Sequence, residues 1–286
     1  MRKMIYLFFS IIILPVILYS NEPKFQKSLE QEFDDVIMYY AACKKQSFEN
    51  VKGHMLARKQ KYASTLSSVD EIIKNCKKNN KKDEEDLFLD LKITFDFLKK
   101  KMGIAREVDL VFCDDPSLQG PCGSLMSYDL HDRMVYIHQN FWDLSPTNIV
   151  FTMIHELTHA QQHMRKGSVN FIIEGKDKAY RAQIEREADI NAAQIVNCPL
   201  CLKVVLAHRL SEEALSTDHQ NEKFRKLGYL TSDQLRNYLQ QKSLINLCKV
   251  HKHFEDPDVW LGLDTQQGRE MIDQEDYEGT IFDRVL

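Results

Sequence analysis

The chain has 286 residues and a mass of 33.5 kDa, with 43% hydrophobic and 28% charged side chains. That composition describes one or two globular domains and excludes a disordered, collagen-like or multi-span membrane chain. The formal net charge of -4, from 38 basic and 42 acidic side chains, leaves no global positive field for nucleic acid or an anionic membrane surface.

Arg2 and Lys3 start the chain, Ile5 to Leu18 is apolar apart from Ser10 and Pro15, and Leu18-Tyr19-Ser20 leads into polar Asn21-Glu22-Pro23. This is the three-part layout of a secretory signal peptide over residues 1–20. The apolar run is shorter than the roughly 20 residues of a spanning helix, with an uncleaved signal anchor as the alternative. The first Cys is Cys43, too far from the cleavage point for a lipid anchor. The mature protein is therefore expected in the periplasm or outside the cell, where disulfides persist.

From 21 to 103 the pattern is helical: Phe25, Leu29, Phe33, Ile37 and Tyr40 recur at helical spacing, as do Leu87, Leu91, Phe95, Leu98 and Met102, with Gly103 as a C-cap. The polar run Lys77 to Glu85 between them reads as a solvated loop. From Arg106 to Asn140 the period changes to two. Val108, Leu110 and Phe112 alternate with polar neighbours, and Leu125 to Tyr128 and Met134 to His138 form two more short strands around a turn at His131-Asp132. Helices then return. Ser145 as N-cap and Pro146 at the first helical position open one that Gly167 closes. Others are expected from about Lys178 to Val196, Leu202 to Leu215 and Thr231 to Leu247. Residues 251–286 form an acidic tail whose Trp260, Ile281 and Phe282 can dock on the core. The whole is an α+β fold, mostly helical, with a short sheet before the best-marked helix and residues 104–250 as the second domain.

That helix carries His155-Glu156-Leu157-Thr158-His159. Two His four apart share a helix face and can share a metal, and Glu156, beside the first, can reach a water on that metal as a general base. Phe151, Met153, Ile154 and Leu157 bury the same helix, so the pair sits at a core edge. On the next long helix Glu185 and Asp189 are also four apart. Glu185 can be a third ligand, and Asp189 can accept from the outer N–H of a ligand His and set its tautomer. Ala188, Ala192 and Ala193 are small enough for the two helices to approach closely.

His-Glu-Leu-Thr-His followed by Glu-x-x-Ala-Asp resembles the gluzincin branch of zinc metallopeptidases, and within it the family of CAAX prenyl endopeptidases and periplasmic quality-control peptidases. Thr217-Asp218-His219-Gln220 with Arg225 is loosely similar to that family's Thr-His-Pro stretch and following Arg, with Gln220 in place of Pro. The resemblance covers about Phe151 to Leu227. It implies a zincin-like domain, Zn²⁺ held by His155, His159 and Glu185, Glu156 as base, a polypeptide substrate, and a substrate-binding edge at the strand Met134 to His138. It also implies a functional His219. Three roles stay open there: oxyanion donor, fourth zinc ligand holding the enzyme latent, or surface His.

Other residues carry weaker signals. Cys198-Pro199-Leu200-Cys201 reads as a structural disulfide or two separately paired Cys; Cys113 with Cys122 and Cys43 with Cys76 are candidate pairs, leaving Cys248 odd. His163 reads as an exposed helix-end residue, and His251 and His253 as a local basic patch. Tyr128, Tyr136 and Tyr180 are candidate oxyanion donors or core residues. The reading is an exported zinc endopeptidase. The alternative is a non-enzymatic exported helical binding protein with a structural or decayed zinc site.

Overall fold

The structure, a computed structural model, describes residues 25–63, 66–104, 107–113, 125–138, 141 and 144–240. The leader, Cys122, Cys248, His251, His253 and the acidic tail lie outside the described residues. The architecture is α+β and mostly helical. In chain order it runs α1 (Leu29–Lys44), α2 (Phe48–Ala63), β1 (Leu66–Ser68), α3 (Val69–Lys78), α4 (Lys82–Lys101), β2 (Asp109–Cys113), β3 (Met126–Asp129), β4 (Met134–His138), α5 (Pro146–Lys166), α6 (Ser168–Glu174), α7 (Lys178–Val196), α8 (Pro199–Leu215), α9 (Asp218–Leu227) and α10 (Ser232–Gln240). Among the described residues no helix is long and apolar enough to cross a membrane.

Local chemistry explains the helix that matters most. Ser145 caps α5, accepting from Asn148 N; Pro146 follows, and Gly167 ends the helix at φ 74, donating its N–H to the His163 carbonyl. Gly167 also opens α6, in a backbone region that side chains strongly disfavour, so the chain reverses there without strain. α7 starts on an Asp177 cap and ends at Asn197 in the left-handed region.

The sheet order is β1-β2-β4-β3. β2 and β4 are parallel, with Leu110 opposite Val135 and Phe112 opposite Ile137, while β3 pairs antiparallel with β4 and β1 antiparallel with β2. This corrects the expected edge. β4 is paired on both sides, so among the described residues the edge on this flank is β3. The strand β1 was missed because Leu66 to Ser68 is too short for an alternation to register. It ties the N-terminal region into the sheet.

The main core runs across the boundary drawn at 103 and 104. Val69, Ile73, Phe88, Leu91, Phe95 and Leu98 pack in one cluster with Val135, Ile137, Ile154, Leu157 and Leu200. α4 starts at Lys82, so most of the polar run Lys77 to Glu85 is helical, and a turn occupies only 79–81. α1 and α2 form a smaller cluster around Ile37, Ala41 and Val51. The Cys43–Cys76 pair does not form: Cys43 is an exposed free thiol on α1, whereas Cys76 is buried on α3 beside Glu84. Cys198 and Cys201 are buried in the main core at the start of α8.

Candidate metal centre

α5 and α7 lie against each other, and small residues let them do so: Ala160 on one and Ala188, Ala192 and Ala193 on the other are all fully buried. Asn191 Nδ2 donates to Thr158 Oγ1 at 2.8 Å, and Thr158 in turn donates to the Ile154 carbonyl, pinning the register between the helices. That contact brings His155, His159 and Glu185 together.

The ligating atoms of these three converge. His155 Nε2 lies 3.1 Å from His159 Nε2 and 3.2 Å from Glu185 Oε2, and His159 Nε2 lies 3.3 Å from the same oxygen. The outer nitrogens are already committed. His155 Nδ1 donates to Asp189 Oδ1 at 2.8 Å. His159 Nδ1 donates to Gln162 Oε1 at 2.8 Å, and Gln162 is oriented by its own donation to the Ile184 carbonyl at 3.0 Å. With a ring proton outward on each imidazole, the two Nε2 atoms and a carboxylate oxygen face one another and share a cation, either a proton or a metal, and the three residues can hold one metal ion.

The electrostatics agree. Burial opposes a charge on His155, but its hydrogen bonds to Asp189 and Glu185 outweigh burial and push its pKa up to about 10 in the metal-free protein. His159 is shifted upward in the same way, against burial and through Glu185. Glu185 and Asp189 are held below the usual carboxylate range: in each, bonds to the imidazoles overcome burial. The pocket therefore attracts positive charge, whether proton or metal. Asp189 is also satisfied elsewhere. Its Oδ2 accepts from Leu230 N at 2.8 Å, and Arg209 stands 3.7 Å from Oδ1.

Glu156 follows the first ligand and is nearly buried. Its Oε2 accepts from the backbone N–H of Tyr128 on β3 at 2.7 Å, and the other oxygen has no hydrogen bond among the described residues. Burial is the main influence on its carboxyl and moves the pKa up, the direction that suits a proton acceptor near neutrality.

Several residues that sequence reasoning missed shape the centre. Gly228, at φ 99, sits so tightly on α7 that a Cβ there would come 2.0 Å from the Ala182 carbonyl oxygen. This close approach sets Tyr229 against the metal group, its ring stacked on His155 with centroids 5.7 Å apart. Gln162 was visible three residues after His159 on the same helix face. Tyr229 and Arg209 had no local signal, because nothing near them in the chain says which helix they meet.

His219 takes the surface position left open for it, and His163 departs from its expectation. His219 is exposed in the first turn of α9 and makes no hydrogen bond or ion pair to the metal group. The physical reason is a capping box: Thr217 caps the helix, and Gln220 returns a bond to the Thr217 N–H. The segment after α8 is thus a helix that turns His219 to solvent. His163, read as exposed, is fully buried, one turn beyond His159 on the inner face of α5. Of the three Tyr, only Tyr128 lies at the centre. Tyr136 is beside Asp132, and Tyr180 is over Lys166. Comparison of the chain with protein-family models, curated proteins and solved structures gives no match.

Proposed function

We propose that the chain is an exported zinc-dependent endopeptidase with a zincin-like catalytic domain, hydrolysing peptide bonds in exported or misfolded polypeptides. The observation that carries this reading is Glu156, a buried carboxylate next to a His that can ligate a metal and aimed by a backbone N–H. A structural metal site has no use for such a group and fills its four positions from protein. Here no fourth His, Cys, Asp or Glu joins the three among the described residues.

Zinc suits the donor set. A tetrahedral zinc with bonds of roughly 2.0–2.1 Å keeps neighbouring ligands about 3.3 Å apart, and the three spacings are 3.1, 3.2 and 3.3 Å. When bound, zinc supplies a Lewis acid that polarises a carbonyl and lowers the pKa of water to roughly 7. The chain's own residues do the rest. Asp189 and Gln162 hold the imidazole tautomers that leave both Nε2 atoms unprotonated. Tyr128 N–H occupies Oε2 of Glu156, leaving the other oxygen to take a proton from water and pass it to the leaving amine. β3, the sheet edge beside Glu156 among the described residues, is where an extended polypeptide would run by main-chain hydrogen bonds.

The test is metal analysis of the purified protein followed by hydrolysis of an unfolded polypeptide. One zinc per chain, with turnover that Glu156→Gln abolishes, is the expected result. Bound metal without turnover of any unfolded polypeptide would overturn it in favour of an exported binding protein with a structural or decayed site.

A further inference from the structure

A continuous run of buried polar groups joins the N-terminal helix α1 to the residue that holds Glu156. Glu32 on α1 is 4% exposed. Its Oε2 accepts from Ser168 Oγ at 2.7 Å and lies 3.0 Å from His163 Nε2 and 3.2 Å from Arg133. Arg133 also donates to the Lys27 carbonyl at 2.7 Å and stacks on Phe25, so the segment leading into α1 is held as well. Ser168 Oγ is 2.6 Å from His163 Nε2. Gly167, whose φ admits only glycine comfortably, makes the turn that places Ser168 there.

Ser, His and Glu in contact invite comparison with a hydrolytic triad, and the geometry rejects it. The acid and the hydroxyl both sit at Nε2, whereas a triad needs them on opposite ring nitrogens. Ser168 is also buried. The other nitrogen, Nδ1, meets the Tyr128 hydroxyl at 2.7 Å. The Tyr128 side chain is thus held by His163 on α5, which Glu32 on α1 and Ser168 on α6 hold in turn, while its backbone N–H donates to Glu156 at 2.7 Å.

We propose that Tyr128 is the positioning residue for Glu156 and that α1, through Glu32, Ser168 and His163, completes the site by fixing Tyr128. The N-terminal helix is then a working part of the centre rather than an appended module. The role assigned to Glu156 rests on the peptidase reading; the mechanical link from Glu32 to the Tyr128 N–H does not.

Residue-resolved amide hydrogen exchange on the full chain tests the link without needing activity. Tyr128→Phe keeps the backbone donor and removes only the hydroxyl; Glu32→Gln acts at the far end. In both, exchange of the residue-128 amide should rise about tenfold, the effect of losing roughly 1.4 kcal/mol of hydrogen bonding. In Tyr128→Phe the amides of Val135 and Ile137 in β4 should stay at wild-type rates, and in both variants bound zinc should stay at one per chain. Turnover should fall about tenfold in kcat with KM unchanged. An unchanged residue-128 amide in Tyr128→Phe overturns the proposal. Equal acceleration of all these amides in Tyr128→Phe also overturns it, because the effect is then global loosening. If the wild type hydrolyses nothing, the peptidase reading fails while the exchange result still decides the link.

Discussion

The His155 ring is held from both ends: Asp189 accepts from Nδ1 at 2.8 Å while Nε2 faces Glu185 at 3.2 Å. Asp189 is in turn bonded to Leu230 N and neighboured by Arg209. A carboxylate so satisfied orients the ring and increases its basicity towards a metal. Asp189→Asn should keep the fold and lower metal affinity roughly 10–100-fold, measured by competition with a chelator. His155→Ala with His159→Ala should abolish binding, and Glu185→Gln should weaken it. Full metal retention in the double variant would remove the site.

Glu156→Gln preserves size and the Tyr128 N–H bond while removing the proton acceptor. Metal content should stay at the wild-type level and turnover should drop roughly 10²–10⁴-fold. Steady-state hydrolysis of an unfolded polypeptide, read beside metal analysis, checks this.

His219→Ala should leave both metal content and turnover unchanged, because α9 turns this residue to solvent. Gly228→Ala should be the damaging change in the same region. The added methyl meets the Ala182 backbone on α7, which displaces Tyr229 from His155 and Leu230 from Asp189. A lower melting temperature and weaker metal binding are the expected readouts, and a wild-type melting curve would contradict the packing.

Glu32 links pH to stability. Burial alone would raise its pKa, but the bonds from His163 and Ser168 and the charge of Arg133 bring it down to about 2 from an unfolded value of 4.5. The group is ionised in the fold, so its contribution is complete above about pH 4.5 and is lost as pH falls towards 2. The full contribution is up to about 3 kcal/mol. Denaturant midpoints for the wild type and Glu32→Gln should differ clearly at pH 7 and converge on acidification. A gap that persists unchanged to pH 2.5 would assign the stability to shape rather than charge.

Export predicts a mature chain starting near Asn21, read by intact mass. In the folded protein, alkylation should label exposed Cys43 quickly and buried Cys76 slowly. Equal labelling of both would mean that α3 and α4 separate in solution.

Much of the centre was legible because its signals are local. Ser145, Pro146 and Gly167 bound α5 within a turn of each end, and the four-residue spacings of His155 with His159 and Glu185 with Asp189 set shared faces whatever the helices meet. The strand Met134–His138 was legible for the same reason: period-two alternation is written in adjacent residues. α9 was missed although its capping box is local, because Thr217 to Gln220 was read as a loosely matching metal motif instead of a helix start.

The sequence by itself determined which residues could serve as ligands and base, and on which helix faces they would lie, since helical periodicity and capping act over three or four residues. Only the tertiary structure decided that β4 is an inner strand with β3 beyond it, that His163 is buried, and that Tyr128 bridges Glu156 to α1 through His163. Those facts depend on partners far apart in the chain: Glu32 and Ser168 are separated by 136 residues, and Tyr128 and Glu156 by 28. A side chain's own neighbourhood does not say which distant backbone group will satisfy it. That choice is made when the apolar faces of α5, α7 and the sheet close on one another and every polar group trapped between them must find a partner.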